Sequence, residues 1–338
     1  MPSRSTRARS PKSSEPSVAR TADLTLGIDL GATKVVSGLV NAHGEVIHHS
    51  GRHLHANDGP DGVISAVLRA ARTCLDWASE PPLAVGVAVA AQVDPPSGMV
   101  IHAPNLGWRN VPLGPRIAHE LGTPVAVVND ARAATYAEWQ FGAGVGTSDL
   151  FCLALGTGIG GSAVLGGVLV EGGTHAAGEV GHITIVSGGR RCHCPNAGCF
   201  EAYVGGWAIG ERARLEVEAD PSGGAALVRR AGTIEQITAH TVFQEFRAGD
   251  PLAVRLVAET EQYLTDGAVS VVNAFNPSLL VMSGGLVAGM PDWVPAVERA
   301  VRYRCQPPAA GARVVRARFA EDAAMIGAAQ LARRAPPR

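Results

Sequence analysis

Asp130 stands directly after Asn129 at the end of the apolar run 125–128 and opens a stretch with helical spacing. A carboxylate at a strand end sits where a general base for a substrate hydroxyl is needed. A plain helix cap, with the side chain accepting from orphan backbone N–H groups, is the alternative. Two glycine turns flank it in the chain, Asp29-Leu-Gly31-Ala-Thr33-Lys34 and Gly156-Thr157-Gly158-Ile-Gly160-Gly161, each between strand-like runs. Backbone N–H groups in such turns can face a phosphate, although a ligand-free hairpin has the same look. A third glycine pair, Gly284 and Gly285, follows another buried strand. No Gly-Lys-Ser/Thr completes a P-loop, and the turns lie between strands instead of opening a helix as a dinucleotide fingerprint does. Three copies of one device point to a nucleotide.

Cys192, Cys194 and Cys199 crowd into eight residues, with His182 shortly before them. Three thiolates and one imidazole make a closed tetrahedral Zn2+ set, which leaves no open position for water and is therefore structural. Reduced cysteines in a loop are the alternative. His193 is a second candidate for the nitrogen ligand, but a residue between two ligating cysteines tends to turn outward, so His182 is preferred. Cys74, Cys152 and Cys305 are scattered in apolar or helical contexts and read as buried thiols. Asn105, Glu179, His182 and Glu201 offer donors and acceptors suited to the hydroxyl pairs of a sugar, and Asn129 lies beside Asp130.

The elements that must position these groups follow from hydrophobic period. Strands are expected over 24–29, 35–40, 83–90 and 125–128, with helices over 61–78, 112–121 and 130–141. The pattern restarts at 150, with strands over 151–155, 162–165 and 168–171, a long helix over 253–275, strands over 279–282 and 313–317, and a last helix over 322–333. Each half opens strand, glycine turn, strand, the look of an internally duplicated α/β fold.

The chain has 338 residues, 46% of them hydrophobic and 17% charged, enough apolar material for two α/β lobes and unlike a disordered or fibrous protein. Residues 1–20 carry Arg4, Arg7, Arg9, Lys12 and Arg20 against Glu15, a balance of +4, so the net charge of −1 leaves −5 on the rest. A mildly acidic body argues against nucleic acid as a partner. The Ser-, Pro- and Arg-rich tail has no apolar core of a signal peptide and reads as disordered, and no apolar run reaches the roughly 18 residues of a membrane span, so a cytoplasmic protein is expected.

In this order, Asp29-Leu-Gly-Ala-Thr-Lys34, Ala103-Pro-Asn-Leu-Gly-Trp108, Asn129-Asp130, Leu155-Gly-Thr-Gly-Ile-Gly-Gly161, Gly178-Glu-Val-Gly-His182 and the Cys-x-Cys-x4-Cys-x-Glu run ending at Glu201 resemble the ROK family (repressors, open reading frames and sugar kinases), and its bacterial ATP-dependent glucokinases above all. The resemblance covers about residues 23–333. It implies an actin-like ATPase fold of two ribonuclease-H-like lobes around a cleft. The small lobe would span 23–128 with the C-terminal helix 320–334, and the large lobe 129–319 with a zinc loop over 182–201; residues 1–22 would be the tail. Asp130 would take the proton from the sugar 6-hydroxyl as it attacks the γ-phosphate of ATP, and Asp29 would help to hold Mg2+. Asn105, Asn129, Asp130, Glu179, His182 and Glu201 would grip the sugar, with His182 bridging to zinc. Gly31, Thr33, Lys34, Gly156, Thr157, Gly158, Gly160, Gly284 and Gly285 would line the phosphates together with Asp29. The family commonly forms dimers or tetramers, so a homo-oligomer is expected.

Glucose leads among substrates, with mannose, N-acetylmannosamine, fructose, allose or an amino sugar as alternatives. A sugar-responsive regulator of the same family would need a helix-turn-helix of about 60–80 residues before the first strand, where about 22 Pro- and Ser-rich residues stand here. A polyphosphate donor is a further alternative, and the cysteine cluster favours ATP. Two departures from the family pattern are Pro195, where Gly usually follows the second cysteine, and Ser162, where a further Gly often follows the second phosphate turn.

Overall fold

The computed structural model describes residues 23–54 and 58–334. The expected basic tail lies outside the described residues. The first half runs β1 (Thr25–Leu30), β2 (Lys34–Val40), β3 (Val46–His53), α1 (Gly59–Leu75), β4 (Val85–Val89), β5 (Gln92–Asp94), β6 (Met99–Ala103), β7 (Trp108–Val111), α2 (Leu113–Leu121), β8 (Val125–Asn129) and α3 (Asp130–Phe141). Its main sheet has the order β3-β2-β1-β4-β8, with β5-β6-β7 as a small separate sheet. β1 pairs antiparallel with β2 and parallel with β4, and β4 pairs parallel with β8. All five residues of β4 are buried, as a central parallel strand covered on both faces requires. The edge strand β3 carries His48, His49, Arg52 and His53, polar side chains that discourage pairing with a further strand.

The second half repeats this plan: β9 (Leu150–Leu155), β10 (Ile159–Leu165), β11 (Val168–Leu169), α4 (Glu201–Val204), α5 (Gly206–Ala219), α6 (Ala225–Ala231), α7 (Ala239–Arg247), α8 (Pro251–Phe275), β12 (Leu279–Ser283), α9 (Gly285–Gly289), α10 (Trp293–Arg304), β13 (Arg313–Arg316) and α11 (Ala323–Arg334). The sheet order is β11-β10-β9-β12-β13, again antiparallel for the first three strands and parallel for the last two. The duplication read from the strand-turn-strand pattern thus extends to whole sheets, the architecture of the actin-like ATPase fold. Each sheet has its own buried core, one around Leu26, Val87 and Trp108, the other around Phe151, Phe200 and Trp293.

Two expected strands shift. The strand expected over 162–165 starts at Ile159, because Gly160 and Gly161 pair with Ala154 and Leu153. The strand expected over 168–171 ends at Leu169. The helices α4–α7 and α10 go beyond the elements that the pattern indicated. In α5 a buried Arg212 and a half-exposed Leu215 break the apolar stripe, which hides the period.

α3 lies between the two halves, touching β9 and β10 on one side and α11 on the other, and α11 returns the chain to β1 and β4. The buried Glu138 fixes that return. Its carboxylate accepts from the backbone N–H of Ala143 (2.9 Å), Arg318 (3.0 Å) and Phe319 (2.7 Å), tying the end of α3 to the segment that leads into α11. Glycines set the contact distance: a Cβ at Gly86 would collide with the Ala328 carbonyl, and one at Gly327 with the Ala133 carbonyl. Among the described residues no helix is long and apolar enough to cross a membrane.

The backbone of α3 cannot yield to an added methyl group as a side chain could. Gly327→Ala is therefore expected to cost at least about 1–3 kcal/mol, read as a lower urea midpoint at unchanged slope. A midpoint equal to that of the parent protein counts against this close packing.

Candidate active site and metal centre

At the end of β8 the chain passes from strand to helix without a linker. Asn129 keeps extended backbone angles and caps α3: its Oδ1 accepts the Arg132 N–H at 3.1 Å. Its Nδ2 donates to the Ala91 carbonyl (3.3 Å) and to Asp130 Oδ1 (3.1 Å). Asp130 Oδ1 also accepts the Ala131 N–H at 2.8 Å. The cap is thus Asn129, which leaves Asp130 as the first helical residue with Oδ2 available. Burial pushes the Asp130 carboxyl above its ordinary range, opposed by the Ala131 amide.

Asp29 lies near the end of β1, in register with Ala88 of β4 and through it with Val128 of β8, so it and Asp130 share the same edge of the first sheet. Burial first, then the charge of Asp130, raise its pKa to about 7, while Lys34 opposes the shift. Glu179 is raised by desolvation first, with Asp130 and Glu201 adding to it and His182 lowering it. Residues far apart in sequence therefore share one electrostatic neighbourhood. The buried Arg132 of α3 donates to the His175 carbonyl (2.8 Å) and so holds the loop that carries Glu179.

Each glycine turn is closed by a backbone bond from its first glycine. Gly31 N–H donates to the Lys34 carbonyl and Gly156 N–H to the Gly158 carbonyl, both at 3.0 Å. The second turn is braced from outside: Gly206 and Trp207 N–H donate to the carbonyls of Gly156 (3.0 Å) and Thr157 (3.1 Å). Glu201 Oε2 accepts the Ile159 N–H (2.8 Å), and Oε1 accepts the Trp207 indole N–H (3.0 Å). Lys34 ion-pairs with the exposed Glu321 at 3.2 Å. Gly160 lies against Ala131, which brings the second turn to the start of α3. Gly284 has φ of +95°, and a Cβ there would strike the Leu155 carbonyl, so only glycine lets β12 turn into α9 beside β9.

A cavity of about 820 Å³ opens between the second turn, α5, α7 and α9. Of the residues singled out in the sequence, Gly156, Thr157, His193 and Gly285 line it. Asp29, Gly31, Thr33 and Lys34 do not; they belong to the turn of the first sheet. Asn105 is exposed on a single 3-10 turn, Pro104–Leu106, and makes no hydrogen bond to a described residue. The cavity walls that sequence reading missed are Trp207, Arg214, Thr238, Phe243 and Arg247. Their only local signal is the Thr238 capping box, which speaks of a helix start and nothing more.

His182, Cys192, Cys194 and Cys199 converge, their ligand atoms all within 4.8 Å of one another. His182 Nδ1 lies 3.7 Å from Cys192 Sγ, and Cys194 Sγ lies 3.6 Å from Cys199 Sγ. A tetrahedron with Zn–S of about 2.3 Å and Zn–N of about 2.1 Å has edges of about 3.6–3.8 Å, so the donor set fits zinc. Pro195 does not prevent the convergence. His193 turns away and stacks on Trp207, ring centres 3.8 Å apart at 19°.

The ROK family model matches residues 25–335. A glucokinase of Streptomyces coelicolor is 32% identical over 321 residues, 93% of this chain and 99% of the relative. A glucokinase of Thermotoga maritima is 31% identical over 308 residues, 90% of this chain and 96% of the relative. A ROK family glucokinase from Streptomyces griseus, solved in complex with glucose and AMPPNP, superposes with a TM-score of 0.81 at 31% identity over 92% of this chain and 100% of that one. Duplicated sheets, paired glycine turns, a capped strand-end carboxylate and a Cys3His cluster thus occur together in a chain that belongs to the ROK family.

Proposed function

We propose that the protein transfers the γ-phosphoryl group of ATP to the 6-hydroxyl of a hexose, with glucose as the leading substrate. The observation that carries this reading is Asp130, a carboxylate freed from capping by Asn129, at the edge where the first sheet, the second glycine turn and Glu179 meet. The likeness to a glucokinase solved with glucose and an ATP analogue supports it.

Asp130 Oδ2 accepts the proton of the attacking hydroxyl. Its raised pKa brings the base nearer to working pH, where acceptance of a proton is most effective. Asn105, Glu179, His182 and Glu201 are proposed to hold the other hydroxyls, and Asn129 to orient Asp130 through the bond to Oδ1. The N–H groups of the turns after Asp29 and Leu155 receive phosphate oxygens, and the cavity between α5, α7 and α9 takes the nucleoside. Asp29 would hold Mg2+, which neutralises charge on the transferred phosphoryl group. Zn2+ held by His182, Cys192, Cys194 and Cys199 would keep the 182–201 loop in shape; with His182 Nδ1 toward the thiols, Nε2 would be left for the sugar.

ADP release from Mg-ATP should depend on a hexose, and in a panel of glucose, mannose, fructose, allose and N-acetylmannosamine the largest kcat/KM is expected for glucose. Asp130→Asn should lower kcat by at least about 10²-fold with the fold intact. Near-parental turnover in that variant removes Asp130 from the role of base, and ADP release indifferent to every sugar removes the kinase reading.

A second expectation concerns pH. The folded protein keeps a proton on Asp29 between the ordinary carboxylate range and about 7, where the unfolded chain has lost it. Asp29 thus favours folding below its ordinary pKa of 3.8, and this contribution fades as pH rises toward about 7. Activity runs the opposite way: without its proton Asp29 can hold Mg2+, so kcat/KM should fall as pH drops through about 7. Asp29→Asn should raise Tm of the Mg-free protein at pH 8 and lower kcat. An acid limb that begins only below pH 5 contradicts this assignment.

For the metal, Cys194→Ser should copurify with well under one Zn2+ per chain by elemental analysis and unfold at a lower Tm. Full zinc content in that variant refutes the ligand set.

A further inference from the structure

His193 sits between two cysteines of the metal cluster, and its ring lies flat on Trp207, 3.8 Å between centres at an interplanar angle of 19°. Both residues line the cavity that adjoins the second glycine turn. The Trp207 indole N–H donates to Glu201 Oε1 at 3.0 Å, and Glu201 Oε2 accepts the Ile159 N–H at 2.8 Å. The Trp207 backbone N–H meanwhile donates to the Thr157 carbonyl at 3.1 Å. Trp207 therefore touches the metal loop through its indole face and the second glycine turn through two polar bonds, one from its backbone N–H and one from the indole by way of Glu201.

We propose that His193 and Trp207 form a strut by which the loaded metal loop holds the Gly156–Ile159 turn in the shape that binds nucleotide phosphates, so that both are positioning residues for the nucleotide. The inference rests on the nucleotide-binding reading of that turn. Its physical basis is the order of constraints. Ligation of Cys192 and Cys194 would fix the backbone of His193 from both sides, and the stacked imidazole then limits the rotamers of Trp207. The indole N–H in turn fixes Glu201, a carboxylate that otherwise has rotational freedom and whose far oxygen holds the Ile159 amide. Loosening the stack lets the turn sample shapes whose N–H groups no longer converge, and the nucleotide must then restore that order when it binds.

The test is ADP binding by isothermal titration calorimetry to zinc-loaded, full-length protein, with zinc content and Tm measured on every sample. His193→Ala, with full zinc, is expected to weaken ADP binding roughly three- to tenfold, the range an aromatic pair can transmit. His193→Phe, which restores a flat ring, should return affinity to within about twofold of the parent, and Trp207→Phe, which keeps a ring but lacks the N–H donor, should weaken ADP binding despite an intact stack. A merely structural stack would lower Tm in His193→Ala while leaving ADP affinity unchanged, and that result overturns the proposal, as does a His193→Phe variant as weak as His193→Ala. Parent protein that binds no ADP at all defeats the nucleotide reading itself; ADP binding without sugar-dependent turnover defeats the kinase reading alone and leaves the strut to be judged by the variants.

Discussion

The first backbone N–H groups of a helix have no partner within it, and at the start of α3 the Asn129 side chain supplies one. Because β8 runs into α3 with no intervening residue, the position of Asp130 follows from the register of β8 against β4 and from the bond of Asn129 to the Ala91 carbonyl. The candidate base is thereby placed by main chain and by one amide, with no flexible loop between it and the sheet. Everything else at the site is arranged around that point: Asp29 reaches the same edge through β1, and the second glycine turn reaches it through the contact of Gly160 with Ala131.

The helix that carries Asp130 is held from both sides. α11 returns from the far end of the chain to lie on α3, β1 and β4 at distances that only glycine permits, and Glu138 gathers three amides from the two segments that meet there. A carboxylate satisfied in this way forms charge-assisted hydrogen bonds and fixes the route of the chain. The duplicated plan then does its work with an asymmetry. Both glycine turns follow a Leu-Gly pair, but the residue before that pair is Asp29 in the first copy and Ala154 in the second. Only one turn thus presents a carboxylate at that position, as suits a site that would bind one Mg2+ beside phosphates contacted from two sides.

Much of this was legible in the residues. Helix α3 occupies the expected span 130–141 to the residue, because an apolar strand, an Asn-Asp pair and a glycine after Phe141 punctuate it on both sides. The central strands were legible because burial on both faces demands unbroken apolar runs. The cysteine cluster was legible because metal ligands close in sequence leave a composition signal that no packing rule produces. The wall of the cavity beside the second glycine turn was not. Trp207, Arg214, Phe243 and Arg247 are ordinary residues on helices α5 and α7, and nothing local says that these helices face the second turn.

Sequence alone, through hydrophobic period, glycine punctuation and the order of six motifs, determined the fold class, the doubled strand-turn-strand plan and the chemical types at the site. Tertiary structure decided which of two adjacent polar residues caps the helix, which histidine faces the thiols and which stacks on an indole, and that Glu201 braces the second glycine turn. The reason is range. Period and punctuation are properties of neighbouring residues, whereas a hydrogen bond such as that between Ile159 and Glu201 joins groups whose meeting depends on how whole elements pack, and many sequences with the same local pattern would bring different partners together.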